Sequence, residues 1–432
     1  MRLLTLSLLL ALAVLAGCDS GDGSGPPEPR ERPSPAITRS ELGDHLAALQ
    51  RIADEHGGTR AVGTPGYDAS ADYVAARLRD AGWTVERQEV PFGYFELRDA
   101  SVMIDGRKLA RAQDFQVLTY SGSGSATGPL RRSGSGCAPA DFSGLQAGEI
   151  PLVHRGDCFF RQKARNAERA GAEALVVVED VRSRRGVPSG TLAIPGVRIP
   201  VVVLSLRALG DAGEGTRASV AVDATSRSGR AANVIAETPG GRDDAIVMAG
   251  GHLDSVRGGP GINDNGSGTA ALIEAAEAIG PDPPGAKVRV AFWAAEELGL
   301  YGSRHYVRSL DAEERRRIRA YVNLDMVGSP NPVPEVYRDG DARVGAVLRR
   351  AVGGRVGGIV AGQASDHASF QAAGIPVNGL YTGSTEAGPG GGPRDPCYHL
   401  ACDTARNVDR AMLLRMARAV AQALRELSAQ AR

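Results

Sequence analysis

The chain has 432 residues and a mass of 45.0 kDa, a length that allows two or three domains with cores of their own. Hydrophobic residues make up 42% and charged residues 23% of it, and its 56 glycines follow no three-residue period, which excludes a disordered or collagen-like chain. Lys and Arg number 50 and Asp and Glu number 50, so no broad basic field exists to bind nucleic acid.

The first residues predict a targeting segment rather than part of the fold. An apolar run of about 13 residues follows Arg2 and is too short to cross a bilayer core as a helix. The run ends in LAGC at Cys18, which is similar to a bacterial lipobox, and an ordinary secretory signal is the alternative. We therefore expect a signal peptide over 1–17 and a flexible tether, rich in Gly, Ser and Pro, over 18–37. The protein would be extracytoplasmic and attached to a bacterial membrane only through lipid on Cys18.

The next part of the chain predicts two helices and then short strands. Helical apolar spacing predicts helices over 38–56 and 66–81. From about 100 to 225, apolar runs alternate with Gly, Ser and Asp, which is typical of strands joined by turns. The strands are predicted over 150–154, 174–178 and 199–204, and one amphipathic helix over 160–170.

From about 230 onward, strands and helices alternate, which indicates an α/β fold with a largely parallel, helix-covered sheet. The predicted strands are 245–250, 287–294, 320–325 and 375–381. The predicted helices are 267–279, 300–309, 341–352 and 409–428.

Besides Cys18, four cysteines remain, an even number in a protein expected outside the reducing cytosol. Two disulfides are the simple expectation, and the pairs close in sequence are Cys137 with Cys158 and Cys397 with Cys402. Four cysteines allow three pairings, and spacing alone does not choose among them. A structural zinc site is the competing prediction, although no CxxC pair supports it.

Side chains that can bind metal follow three predicted strands, and two loops add one each. Open α/β sheets place their sites at the carboxyl ends of their strands, so these side chains are expected at one edge. They are His252, Asp264, one of the adjacent Glu296 and Glu297, Asp325 and His399. Two histidines and three carboxylates are ligands that a pair of zinc ions can use, with one carboxylate bridging.

Six motifs carry a resemblance to a known family: GGHLDS, GINDNGSG, WAAEELGLYGS, NLDMVGSPNP, SDHASF and PCYHLACDT. In order and spacing they resemble those of the M28 family of secreted di-zinc aminopeptidases, over about 38–95 and 230–430. The segment between them, from GCAPADFSGL onward, is similar to a protease-associated (PA) domain. The resemblance implies a zinc-peptidase domain formed by 38–99 and 226–432, with a β-rich PA domain inserted over 100–225.

Carried over residue by residue, the resemblance implies two zinc ions per chain. One zinc would be held by His252, Asp264 and Asp325. The other would be held by His399, Asp264 and Glu297, which makes Asp264 the bridging ligand.

The same resemblance implies catalytic roles for three further residues. Glu296 would be the general base that accepts a proton from the metal-activated water. Asp254 would fix the imidazole of His252, and Tyr398 would hydrogen-bond the oxyanion. The expected reaction is the release of N-terminal residues from peptides with a free α-amine.

The segment around Ser365-Asp366-His367 differs from the family pattern at one position. Compact secreted members have an arginine before the Ser-Asp-His segment, but this chain has Ala364, so the resemblance does not predict how the substrate terminus is recognised. His367 in that segment is assigned a structural role rather than ligation, and no chemical role is predicted for His45.

Other functions remain open alternatives. A glutaminyl-cyclase-like enzyme on this scaffold works with one zinc, and a carboxypeptidase-like enzyme needs a cation for the substrate carboxylate, which the sequence does not identify. A non-catalytic receptor is disfavoured because no ligand position is lost. The PA segment supplies no predicted ligand, so we expect it to serve substrate access or contact with a protein partner.

Overall fold

The computed structural model describes residues 36–179, 187, 189–283 and 285–431. The predicted signal peptide, Cys18 and nearly all of the predicted tether lie outside the described residues. Ile37, the last residue of that predicted tether, is buried, and its carbonyl accepts two hydrogen bonds from the guanidinium of Arg418. One compact unit therefore begins at Ala36.

The helices form where apolar side chains recur at helical spacing behind a capping residue. In α1, for example, the Thr38 hydroxyl caps the first turn, and Leu42, Leu46 and Leu49 are fully buried on one side. In chain order the helices are α1 (Arg39–Glu55), α2 (Pro65–Asp80), α3 (Phe160–Arg169), α4 (Leu206–Leu209), α5 (Gly266–Ile279), α6 (Tyr301–Ser309), α7 (Ala312–Arg317), α8 (Ala342–Val352), α9 (His367–Ala372) and α10 (Arg410–Gln430).

The strands share one continuous hydrogen-bonded arrangement. In chain order they are β1 (Thr84–Ile104), β2 (Arg107–Lys108), β3 (Phe115–Val117), β4 (Gly124–Arg132), β5 (Ile150–His154), β6 (Leu175–Glu179), β7 (Val201–Ser205), β8 (Arg217–Glu237), β9 (Arg242–His252), β10 (Ala286–Trp293), β11 (Ile318–Leu324), β12 (Glu335–Tyr337), β13 (Gly357–Ile359) and β14 (Val377–Tyr381). Their spatial order is β13-β12-β14-β11-β9-β10-β8-β4-β5-β6-β7-β3, and β1 pairs with β2 and β8.

The centre of the peptidase part is a parallel sheet, as predicted. Strands β14, β11, β9 and β10 pair in parallel, and β8 and β12 flank them antiparallel. Strand β9 is apolar without alternation from Ala245 to Ala249, because both of its faces are covered. One face packs against α1, α2, α5, α8 and α10, and the other against α6 and α9.

The PA segment forms the other end of this continuous sheet. Strands β4, β5, β6 and β7 pair in parallel, and β3 is antiparallel at the edge. Two apolar clusters cover its faces.

Two long strands, β1 and β8, extend through both the peptidase part and the PA segment. These two strands pair antiparallel, with a bulge between Leu97 and Asp99. The C-terminal half of β8 pairs with β10, whereas its N-terminal half pairs with β4. The predicted domain boundaries, 99/100 and 225/226, therefore fall beside this bulge and inside two continuous strands.

Candidate active site and metal centre

A cleft of about 200 Å³ opens at the carboxyl edge of the parallel sheet. Its walls come from the turns that follow β9, β10, β11 and β14, and from the segment around β13. The lining residues are His252, Asp264, Glu296, Glu297, Asp325, Met326, Tyr337, Ile359, Val360, Ala361, Ala364, Ser365, His367, Tyr381, Ser384, Glu386, Tyr398 and His399. Every predicted metal ligand is in this set.

The backbone is left-handed at three positions, two of them next to a site residue and one at a predicted ligand. The residue before Glu296, Ala295, has a φ of 56°, and the residue after Asp325, Met326, has a φ of 51°. His399 itself has a φ of 60°. Non-glycine residues seldom adopt this conformation, and it recurs at functional sites, where surrounding structure enforces it.

The ligand candidates form two groups that share Asp264. Nε2 of His252 lies 3.1 Å from Asp264 Oδ1 and 3.5 Å from Asp325 Oδ1. Nε2 of His399 lies 3.1 Å from Asp264 Oδ2 and 3.3 Å from Glu297 Oε2. Within each group the ligand atoms lie within 4.8 Å of one another. Each oxygen of the Asp264 carboxylate thus faces a different imidazole.

The donor set fits a cation, and zinc in particular. Asp325 Oδ1 and Glu297 Oε1 are buried, and neither has a hydrogen-bond partner among the described residues. An unpaired buried polar group costs about 1–3 kcal/mol and more when it is charged, so buried carboxylates are paired or coordinate metals. Imidazole nitrogen together with carboxylate oxygen is a donor set that zinc uses.

The electrostatics of the site favour the same conclusion. Burial and then the charge of Asp264 raise the pKa of Glu297 to about 7. Hydrogen bonds to Asp264 and Glu297 raise the pKa of His399 to about 10. Burial opposes protonation of His252, yet Glu296 and Asp325 raise its pKa well above the ordinary value. The cluster carries excess negative charge, and it therefore stabilises positive charge among these side chains.

Two groups that the sequence analysis did not single out hold the loop that carries Asp264. The carboxylate of Asp403 accepts the backbone N–H of Asn263 at 2.8 Å and of Asp264 at 3.0 Å. Arg60 is fully buried, and its guanidinium donates to the carbonyls of Leu253, Pro260 and Gly261 at 2.5–2.9 Å. Asp403 lies inside the PCYHLACDT motif, so its closeness in sequence to His399 could have indicated a role at the site. No motif in the sequence includes Arg60.

The structure differs from the prediction at Asp254. The backbone carbonyl of Asp254 lies 3.0 Å from His252 Nδ1, whereas its carboxylate Oδ1 lies 3.8 Å away. The carbonyl therefore orients the imidazole. The turn after β9 places the backbone of Asp254 next to the His252 ring. The carboxylate instead contacts the turn after β10, where it accepts the backbone N–H of Glu296 at 3.1 Å.

Glu296 and Tyr398 both line the cleft without belonging to either ligand group. Burial raises the pKa of Glu296 well above its ordinary value. The Tyr398 ring stacks on the His399 imidazole with a centroid distance of 3.8 Å. His367 also lines the cleft, but it belongs to no ligand group, and its Nε2 lies 3.2 Å from the Gly362 carbonyl.

The four remaining cysteines form two disulfides, Cys137–Cys158 and Cys397–Cys402. The pairs are those close in sequence, and because their sulfurs bond to one another they are not ligands of a structural zinc. The second disulfide closes the turn that carries His399, so a predicted metal ligand lies within a covalently closed loop.

A third group of metal-competent side chains lies away from the cleft, where no chemical role was predicted. His45 is buried, with Nε2 3.1 Å from Glu274 Oε1 and Nδ1 2.6 Å from the Tyr73 hydroxyl. The third member, Glu277, accepts two hydrogen bonds from Arg77. These side chains are already satisfied by one another, and they connect α1, α2 and α5.

Comparisons with known proteins identify the family of this chain. The profile of peptidase family M28 matches residues 233–424, and that of the PA domain matches residues 126–212. The probable lipoprotein aminopeptidase LpqL of Mycobacterium tuberculosis is 40% identical over 409 residues, which cover 85% of this chain and 81% of that protein. An aminopeptidase of Pseudomonas aeruginosa is 34% identical over 441 residues, which cover 89% and 82%.

Solved structures give the same result. The aminopeptidase from Aneurinibacillus sp. strain AM-1 superposes with a TM-score of 0.64 at 28% identity, covering 91% of this chain and 94% of that one. BSAP, a zinc aminopeptidase from Bacillus subtilis, superposes with a TM-score of 0.59 at 28% identity, covering 90% and 94%. Fold and site together define a zinc-dependent exopeptidase of the α/β class. The chain belongs to peptidase family M28, and it is an aminopeptidase with a PA domain.

Proposed function

We propose that this aminopeptidase binds two zinc ions and uses Glu296 as its general base. The observation that carries the proposal is the position of the Asp264 carboxylate between two imidazoles. One of its oxygens lies 3.1 Å from His252 Nε2 and the other lies 3.1 Å from His399 Nε2. His252, Asp264 and Asp325 would hold one ion, and His399, Asp264 and Glu297 the other. When bound there, zinc supplies a Lewis acid that polarises the peptide carbonyl and lowers the pKa of a water molecule.

The chain's own residues then supply proton transfer and orientation. Glu296 lines the cleft next to a ligand, and Asp254 holds its backbone N–H, so its position relative to the ligands is fixed. It takes a proton from the attacking water and returns it to the nitrogen of the leaving amine. Tyr398, stacked on His399, donates its hydroxyl hydrogen to the oxyanion that forms on the peptide carbonyl.

The charge of the cleft favours the amino end of a peptide. Among the described residues that line it, none is Lys or Arg, whereas Glu386 lies at its wall in addition to Glu296 and the ligands. With two zinc ions bound, the five lining carboxylates still exceed the four positive charges, so a substrate ammonium group is attracted and a substrate carboxylate is repelled. No described residue of the lining is the Arg or Lys that would bind a substrate carboxylate in a carboxypeptidase. Its volume of about 200 Å³ is small for a ligand site and suits one terminal residue.

Metal analysis combined with a substrate panel tests this proposal. We expect two zinc ions per purified chain, hydrolysis of aminoacyl nitroanilides, and loss of activity with chelators. N-acetylated substrates should not be cleaved. One zinc per chain with cyclisation of N-terminal glutamine would instead establish a cyclase, and cleavage from the carboxyl end would establish a carboxypeptidase.

Lipid on Cys18 would hold the enzyme at a membrane outside the cytoplasm. The LAGC sequence at Cys18, the name of the Mycobacterium tuberculosis relative as a probable lipoprotein, and the two disulfides support this. Cys18→Ala should abolish labelling with a fatty-acid analogue and release the protein from membranes. Unchanged labelling and fractionation would refute the lipid anchor.

The PA segment would control access of longer substrates or contact a partner. None of its described residues lines the cleft, and it meets α6 where the Tyr120 hydroxyl lies 2.8 Å from that of Tyr301. Phe159, which is 86% exposed, is the obvious contact residue. Phe159→Ser should raise KM for long peptides and leave a single-residue nitroanilide unaffected. Equal losses on both substrates would show that the segment supports the chemistry itself.

A further inference from the structure

Seven arginines form a continuous surface of the peptidase part, which we call the arginine face: Arg304, Arg308, Arg315, Arg316, Arg317, Arg319 and Arg343. They line three adjoining depressions. Arg315 lines the first and second, and Arg316 and Arg319 line the second and third, so the surface is unbroken. Five of the seven are exposed, and Arg317 and Arg319 are half-buried.

The charge of this face is only partly compensated. In the described part of the chain, none of the seven arginines forms an ion pair. The aspartates that share a depression with them are paired elsewhere, Asp243 with Lys287 at 2.9 Å and Asp244 with Arg242 at 3.0 Å. The acids at the start of α7, Asp311, Glu313 and Glu314, are fewer than the seven arginines. A protein of net charge +0 thus carries a positive region at this surface.

The second and third depressions lie at the opposite edge of the sheet from the cleft. Arg319 is the second residue of β11, whereas Asp325 follows the last residue of the same strand. A strand of this length measures about 20 Å. The second depression is also lined by Ile375 and Pro376, which precede β14, whereas the first is lined by Gln363, next to Ala364 of the cleft. A partner bound to the second and third depressions therefore leaves the cleft open.

We propose that the arginine face binds the anionic phospholipid headgroups of the membrane to which, under the proposed function, lipid on Cys18 would attach the protein. Guanidinium groups hydrogen-bond phosphate oxygens in pairs, and clustered basic residues are attracted to an anionic bilayer. The exposed large apolar side chains of the described residues lie elsewhere, so the contact is electrostatic and does not insert into the bilayer.

The length of chain before the fold permits this contact. Cys18 and Ala36 are 18 residues apart, and a chain of that length spans at most about 60 Å. The compact unit is therefore held within reach of the bilayer surface. Seated on the arginine face, it would turn the cleft away from the lipid and toward peptides in solution.

Vesicle binding tests this proposal on the chain that begins at residue 19, which lacks the lipid but keeps the whole compact unit from Ala36 onward. We expect it to sediment with vesicles that contain phosphatidylglycerol and not with pure phosphatidylcholine, and to dissociate at high salt. Each basic residue near an anionic surface is worth about fivefold in partitioning, so R315Q/R316Q/R319Q should bind about 100-fold more weakly.

Two variants control this result. R315K/R316K/R319K keeps the charge but loses the paired hydrogen bonds, so it should bind more tightly than R315Q/R316Q/R319Q and less tightly than the parent; it also separates charge from the hydrogen bonds that Arg315 donates to the Leu310 carbonyl. R51Q/R169Q/R406Q removes three exposed, unpaired arginines outside the face and should bind as the parent does. All variants should keep their nitroanilide kcat/KM.

Equal binding of the R315Q/R316Q/R319Q and R51Q/R169Q/R406Q variants would overturn the proposal. So would binding to heparin with no binding to anionic vesicles, which would identify a soluble polyanion as the partner instead. Because the chain used has no lipid, these outcomes do not depend on whether Cys18 is lipidated.

Discussion

The carboxylate of Asp403 accepts the backbone N–H of Asp264 at 3.0 Å. The residue that faces both imidazoles is thereby held through its backbone by an acid from the segment that follows His399. The two predicted ligands His399 and Asp264 thus depend on one stretch of chain, and that stretch is closed by the Cys397–Cys402 disulfide.

Asp403→Ala should weaken zinc binding without removing a ligand. The loop that carries Asp264 loses two hydrogen bonds to a buried carboxylate, and loss of such a supporting contact typically costs 10- to 100-fold in metal affinity. Titration with a competing chelator measures the change. Asp409→Ala is the matched control, because Asp409 caps α10 and makes no hydrogen bond to the ligand loop. If both variants hold zinc like the parent, Asp403 does not position the ligand.

Arg60→Met should destabilise the fold. The substitution leaves the buried carbonyls of Leu253 and Pro260 without a donor, and each costs about 1–3 kcal/mol, whereas the Gly261 carbonyl keeps the N–H of Gly266. We expect the free energy of unfolding in urea to fall by at least about 2 kcal/mol. Arg51→Met, at an exposed position on α1, should stay within about 0.5 kcal/mol of the parent. A similar small effect of both substitutions would show that Arg60 is dispensable.

Removal of the two disulfides should have different consequences. By loop length, the bridge with a separation of 21 contributes about 3 kcal/mol and the bridge with a separation of 5 about 2 kcal/mol. Cys137→Ser/Cys158→Ser should lower Tm and leave zinc affinity unchanged. Cys397→Ser/Cys402→Ser should also weaken zinc binding, because His399 then loses the loop closure that supports its left-handed backbone. Equal zinc affinity in the two double variants would contradict this.

The buried parallel strands and their ends were predictable from sequence. Residues Ala245 to Ala249 form an unbroken apolar run, and the rule that sites lie at carboxyl ends then brings His252 and Asp325 to one edge. The long β1–β8 pair was not predicted, because it joins residues more than a hundred positions apart. A propensity for strand carries no information on such distant partners.

The parts of the site that sequence did not predict are backbone contacts. A carboxylate two residues after His252 looked like the group that orients its ring, but the carbonyl of Asp254 does so instead. Arg60 binds carbonyl groups, which every residue has, so no side-chain pattern points to it. The roles of individual ligands came from the family resemblance, since side-chain spacing alone did not distinguish Glu296 from Glu297.

Zinc content and kcat measured together on Glu296→Gln and Glu297→Gln test the central claim most directly. Glu296→Gln keeps the shape of the side chain but removes the base, so zinc should stay at two per chain while kcat falls about 10²- to 10⁴-fold, or about 3–5 kcal/mol of barrier. Glu297→Gln should lose or weaken one zinc, because an amide is a poor ligand. Two zinc ions and an unchanged kcat in Glu296→Gln, or loss of zinc from Glu296→Gln but not from Glu297→Gln, would contradict the account.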